Sequence, residues 1–182
     1  MCFDMTVACR SAVAAAALGL CLALAGPALA DSGGSSDKTA TCQRGEVYDA
    51  RTNSCVKQGS GVLPDKALTD YASALAKAER YDEALDVLNL LKNPNTPQAL
   101  NYRGYATRKL GRIDEGIGYY RRSIALDPRY AQVREYLGEA YVIKGDIAHA
   151  KAQLQAIRTI CGSDCPQYQH LALALSGRAP RW

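Results

Sequence analysis

The 182-residue chain carries 22 Lys and Arg against 18 Asp and Glu, a formal charge of +4, too mild a surplus for a nucleic-acid binder, whose basic residues crowd one face. Two histidines and one tryptophan leave little with which to build a histidine-centred catalytic site. Binding and structural roles remain, with no cofactor or metal expected.

Residues 1–30 stand apart from the rest. Arg10 is their only basic residue, an apolar run SAVAAAALGLCLALAG follows it, and Ala28-Leu29-Ala30 precedes Asp31. A positive end, a short apolar stretch and small residues at minus three and minus one form the order of a secretory signal peptide. The stretch is too short to span a bilayer comfortably, and no cysteine follows the small residues, so a lipid anchor is not indicated. Met5 offers a second start. Removing this leader predicts a periplasmic or secreted chain of roughly 150 residues, the size of one domain. It contains no further long apolar run and is not expected to touch a membrane.

Of seven cysteines, Cys2, Cys9 and Cys21 leave with the leader, and Cys42, Cys55, Cys161 and Cys165 stay. An even number in an exported chain points to disulfides. Of the three pairings open to them, proximity favours Cys42 with Cys55 and Cys161 with Cys165. Residues 31–41 are rich in Ser and Gly and read as a flexible linker. The segment CQRGEVYDARTNSC, residues 42–55, has a strand-like Glu46-Val47-Tyr48 followed by turn formers from Asp49 to Ser54. It reads as a small hairpin that needs its staple, a crosslink worth about 3 kcal/mol.

Its GxVYDxxTxxC pattern resembles one segment of invertebrate chitin-binding domains, with two of the six cysteines of that family present. The resemblance implies a glycan contact at Tyr48. The alternative is a stapled hairpin packed on the segment that follows. Residues 56–64 read as a second linker.

From Asp65 onward the chain repeats itself. LGRIDEGIGYYRRSIALDP finds an echo in KGDIAHAKAQLQAIRTI: Gly104 and Gly138, Gly111 and Gly145, Gly116 and Ala150, and Tyr120 and Leu154 all recur after roughly 34 residues. An earlier copy has Ala72, Glu79, Ala84 and Leu88 in these places and is two residues short, the loss falling at LKNPNTPQ around Pro94 and Pro97. Each copy reads as two helices. Apolar residues recur at helical spacing in Leu68, Tyr71, Ala72 and Leu75, and in Leu137 and Tyr141. Small residues at Gly104 and Gly138, facing Ala84, Gly116 and Ala150, predict close helix crossings, since glycine inside a helix costs about 1 kcal/mol relative to alanine. Gly111 and Gly145 sit where first helices end, and Asp127-Pro128 stops a second one.

The patterns L-x-x-R-G, L-G-R-x-D-E-G and L-D-P between Leu100 and Pro128, and Y-L-G-E-A-Y with K-G-D between Tyr136 and Asp146, resemble the tetratricopeptide repeat (TPR), here of an exported bacterial type. The likeness implies an all-α solenoid of about three helix-turn-helix repeats, near 65–96, 97–130 and 131–161, within a domain spanning 65–176. Arg103 and Arg134 stand where the family usually has a large apolar residue, and Thr107 where it has an aromatic.

A stack of this kind cannot bury the face of its last helix unaided. Tyr168, Leu171, Ala172 and Leu175 give an apolar stripe on a capping helix, residues 165–176, begun by Asp164-Cys165-Pro166 and ended by Gly177. A short tail, 177–182, follows. A Cys161–Cys165 bond would pin that helix to the stack, contributing about 2 kcal/mol. Two other readings of the same thiols are a Cu(I) site, with His170 as third ligand, and a redox pair. Against the first, five residues of helix from Cys165 turn the His170 side chain by roughly 140° away from the sulfur. Against the second, no strand precedes the pair.

The resemblance also implies a concave wall lined by the first helix of each pair. Carried over, its ligand-facing positions are Lys66, Thr69, Ser73 and Lys77, then Asn101, Tyr105, Arg108 and Lys109, then Gln132, Glu135, Glu139 and Val142. This wall is mixed in charge and suits an extended polypeptide bearing both signs. Thr69 and Ser73 stand where the carboxylate-clamping members have asparagine and lysine. The expected role is non-catalytic binding of another envelope protein or peptide segment, with self-association left open. Glycan binding through the hairpin and thiol or copper handling are the alternatives.

Overall fold

The computed structural model describes residues 41–60 and 63–178. The leader at 1–30 and the linker up to residue 40 lie outside the described residues. Helices come in pairs along most of the chain: α1 Asp65–Lys77 with α2 Tyr81–Leu88, α3 Pro97–Lys109 with α4 Ile113–Leu126, and α5 Ala131–Ile143 with α6 Ile147–Cys161. A seventh helix, α7 Pro166–Leu175, follows them.

The three turns within pairs are built alike. In each, an N–H one residue past the left-handed position reaches back to a carbonyl five residues earlier: Arg80 to Leu75 at 2.9 Å, Arg112 to Thr107 at 3.1 Å and Asp146 to Tyr141 at 2.8 Å. Such a turn closes the last helical carbonyls only if one residue adopts positive φ. Gly111 and Gly145 supply it at +85° and +74°, and Glu79 supplies it at +61° in the first pair, where a side chain makes the conformation costly.

Between pairs the chain is reset differently. Asp127 follows the last residue of α4, as the Asp-Pro pair requires. The short α2 lacks a final turn, and the carboxylate of Asp65 at the start of α1 takes its place, accepting the N–H groups of Lys92 at 3.0 Å and Asn93 at 2.7 Å. Thr96 then opens α3 by accepting the Ala99 N–H through its hydroxyl, with Pro97 in the first turn, a side-chain cap of the ordinary kind.

Helix α3 lies so close to α4 that a Cβ added to Gly116 would stand 2.9 Å from the Gly104 carbonyl oxygen. Beside Gly138 the nearest side chain is that of Leu171 of α7, so the missing Cβ makes room for the cap, while α5 packs closely on α6 over the buried Ala150. The capping helix packs on α5 as well as on α6, as the first helix of a fourth pair would. For the same reason its buried face is centred on Leu171 and Ala174, with Tyr168 and Leu175 half-buried. Ala172, expected in that stripe, is half-buried beside exposed Leu173 on the outer side.

At the other end, β1 Glu46–Asp49 pairs antiparallel with β2 Ser54–Lys57, so the hairpin runs two residues past Cys55 into the segment expected as linker. The Cys42–Cys55 disulfide closes it with Cα atoms 5.7 Å apart. Val47 and Cys42 are buried with Leu68, Tyr71 and Leu75 in one apolar cluster, and the Cys42 N–H donates to the Tyr71 hydroxyl at 2.8 Å. The hairpin thus covers the open face of the first pair, as α7 covers the last. No helix among the described residues is long and apolar enough to cross a membrane.

First helices pack on one another, α1 on α3, α3 on α5 and α5 on α7, while α2, α4 and α6 each contact the first helix that follows. This asymmetry curls the stack and puts the first helices on its inner wall.

Candidate binding groove

The inner wall receives the residues that the sequence pointed to, at very different depths. Asn101, Arg108, Glu135 and Glu139 are 0, 6, 5 and 5% exposed, and Thr69 and Ser73 are buried too. Tyr105, Lys109, Gln132 and Val142 are half-buried, and Lys66 and Lys77 are exposed.

The buried members are held by partners from neighbouring helices. Arg108 donates to the Glu139 carboxylate at 2.9 Å and to the Tyr120 hydroxyl at 3.2 Å, joining α3, α5 and α4 at one guanidinium. Glu135 meets the His170 Nδ1 at 2.9 Å, joining α5 to α7. Burial raises both carboxyls above the ordinary glutamate range. For Glu139 the Arg108 charge opposes the rise; for Glu135, despite the hydrogen bond from His170, it carries the group up to about 7. Farther along, the Asn101 amide donates to the Tyr130 hydroxyl at 3.4 Å, Tyr130 donates to Gln132 at 3.1 Å, and Gln132 donates to the Tyr136 hydroxyl at 3.2 Å. The Asn101 Oδ1 is buried without a hydrogen-bond partner.

Beside these groups runs a row of half-buried aromatic rings. Tyr81 at the start of α2 lies 6.3 Å from Tyr105 of α3, and Tyr105 lies 5.0 Å from Tyr136 of α5, centroid to centroid. Tyr136 continues down to the buried Tyr120 at 6.3 Å. The Lys109 ammonium sits 5.8 and 5.9 Å over the Tyr81 and Tyr105 rings, within cation–π range. Of this row only Tyr105 stands among the ligand-facing positions that the repeat pattern points to. Composition held the missing signal: eleven tyrosines stand against one phenylalanine, a bias with a use where rings must be apolar on the face and polar at the tip.

The other candidates have local partners. Cys161 and Cys165 are bonded to each other, Cα atoms 5.9 Å apart, and His170 is engaged with Glu135, so the three do not converge as Cu(I) ligands. Tyr48 is half-buried, its hydroxyl donating to Asn53 at 2.9 Å. The two disulfides fit an oxidising, extracytoplasmic compartment.

No protein-family model matches the chain, and no curated protein does. A solved structure does: the crystal structure of MamA superposes with a TM-score of 0.53 at 21% identity, over 63% of this chain and 68% of that one. The fold is a TPR-like α-solenoid. At that identity the likeness speaks for the architecture alone. The solenoid has three helical hairpins, a capping helix and a disulfide-closed N-terminal hairpin.

Proposed function

We propose that the protein is a non-catalytic interaction module, periplasmic or secreted, which binds a polypeptide segment of another envelope protein in the groove walled by the first helices. The row formed by Tyr81, Tyr105 and Tyr136 carries this reading. Rings from three successive hairpins meet along one wall, and a stack of repeats turns such a wall into an extended concave surface. Tyrosine gives large, rigid contact area with a hydrogen-bonding tip, which is why it is enriched where proteins meet. The candidate ligand contacts are Tyr105, Lys109 and Gln132, with Tyr81 and Tyr136 added. The buried Asn101, Arg108, Glu135 and Glu139 serve to position them.

A photo-crosslinking residue at Gln132 tests the proposal in cells. Capture of a defined envelope protein, lost when Tyr105 is changed to alanine, is the expected result. Capture that survives Tyr105→Ala, or a mature protein that fractionates with the cytoplasm, would remove its basis.

A further inference from the structure

In each first helix, two residues one turn apart face the element that precedes the pair. In α1 they are Tyr71 and Leu75, buried against the hairpin, and in α5 they are Leu137 and Tyr141, buried against α4. The repeat puts Arg103 and Thr107 at the same two places in α3. With polar side chains there, the seam between the first and second pairs opens into a cleft of about 410 Å³, walled by α2 on one side and by the start of α4 on the other. Two residues of helix turn by about 200°, so Arg103 and Thr107 face away from Asn101 and Tyr105, and the cleft is separate from the groove. Thr107, 1% exposed, lines its floor, and the Oγ1 is buried without a hydrogen-bond partner, a costly state for a hydroxyl. The half-buried Arg103 donates to the Asn89 Oδ1 at 2.8 Å and to the Leu88 carbonyl at 3.0 Å, and lies 5.9 Å from the centre of the Tyr119 ring. Further N–H groups of its guanidinium are spare, and no carboxylate among the described residues pairs with it. Around the exposed rim, Arg44 lies 3.9 Å from Asp86 and Arg112 lies 3.5 Å from Glu115, with Asp82 on the α2 side.

We infer that this cleft binds a sugar ring of a neutral glycan. Its volume lies within the range of small-molecule sites, yet such sites are lined mainly by apolar side chains. Here the lining is mainly polar, so the ligand must be polar over most of its surface. A guanidinium only donates, a carboxylate only accepts, and a hydroxyl does both. Three guanidiniums and three carboxylates around one cleft therefore serve a ligand whose groups donate and accept in equal measure. An anion would meet Asp82, Asp86 and Glu115, and a cation would meet the three arginines, each an unfavourable juxtaposition. A zwitterion needs its two charges met at separate ends, whereas opposite charges already stand in pairs along this rim. At the floor, the Thr107 hydroxyl and the spare N–H groups of Arg103 complete the set. The inference concerns another face than the groove and does not depend on what the groove binds.

An array of immobilised glycans, probed with the labelled mature protein, is the test. Beside it runs a variant that gives the second pair the residues of the third, Arg103→Leu with Thr107→Tyr. Filling the seam in this way should keep or raise the urea midpoint while retention on the bound glycans falls roughly tenfold or more. Lost binding with undiminished stability separates a site from damage to the fold. Where the filled variant loses its helical circular dichroism, the exposed rim decides: Asp82→Ala and Arg112→Ala should each weaken retention about threefold or more. Retention on no glycan, or retention that the filled cleft or both rim changes leave intact, would overturn the inference. Retention confined to glycans bearing carboxylate or sulfate groups would also overturn it. So would retention that Tyr48→Ala abolishes and filling the cleft does not, which places the sugar on the hairpin.

Discussion

Two glycines two positions apart on α4 should respond to the same change with opposite sign. A methyl group at Gly116 would stand 2.9 Å from the Gly104 carbonyl oxygen and 3.0 Å from the Arg108 Cβ, and backbone cannot move aside cheaply. Overpacking of this sort costs about 1–3 kcal/mol. Gly118 faces open space, so alanine there recovers the roughly 1 kcal/mol that glycine forfeits in a helix. Urea midpoints should fall for Gly116→Ala and rise for Gly118→Ala. Glu135 carries a further prediction. Burial lifts its carboxyl from 4.5 to about 7, so between those values the folded chain holds a proton that the unfolded chain releases. Stability from this group is therefore present at the acid end of the window and is lost as pH rises through it. Glu139, Arg108 and His170 surround it and stay in place in Glu135→Gln, which should flatten the fall in melting temperature between pH 5 and 7.5. A wild-type melting temperature that rises across that window would contradict the assignment.

At the scale of an element, each turn and cap is a small machine whose parts can be exchanged. Glu79 does in the first turn what Gly111 and Gly145 do in the others. Glu79→Gly should therefore stabilise the chain, by about 1 kcal/mol, as read from chemical denaturation; a loss would show that the Glu79 side chain has a role of its own. The capping helix is held by Leu171 against Gly138, by His170 on Glu135 and by the Cys161–Cys165 bond. Closing so short a loop constrains the unfolded chain by about 2 kcal/mol. Cys161→Ser with Cys165→Ser should lower stability by that order and speed hydrogen exchange in α7 first, leaving α3 and α4 protected. Uniform loss of protection would mean that the cap and the stack unfold as one unit.

On the scale of the whole molecule, Arg108 is the point through which α3, α4 and α5 are tied. Removing it leaves Glu139 buried without its counter-charge, a change that costs about 3–5 kcal/mol. Arg108→Ala should shift the global urea midpoint and not one repeat alone. A ΔΔG under about 1 kcal/mol would mean that solvent reaches Glu139 and that the layer beneath the groove is wet. How far this layer could be read beforehand depends on distance in the chain. The paired helices, their glycine turns and the capping helix were legible, because each is set by residues within a few turns of one another. Burial of Arg108 and Glu139 was not, since they meet across 31 residues, and a position on an inner wall looks the same in sequence whether it is roofed by neighbours or open.

The helical pairs, the stapled ends and the direction in which the stack grows are already written in the residue pattern, because a repeat specifies the same nearest-neighbour contacts again and again. What the inner wall presents depends on how the pairs sit against one another in space. The curl of the superhelix brings α7 over α5, turns four polar positions inward, where Arg108 meets Glu139 and Glu135 meets His170, and lines up tyrosines from α2, α3 and α5. Those placements follow from the sum of small rotations between successive pairs, a quantity that no single repeat contains.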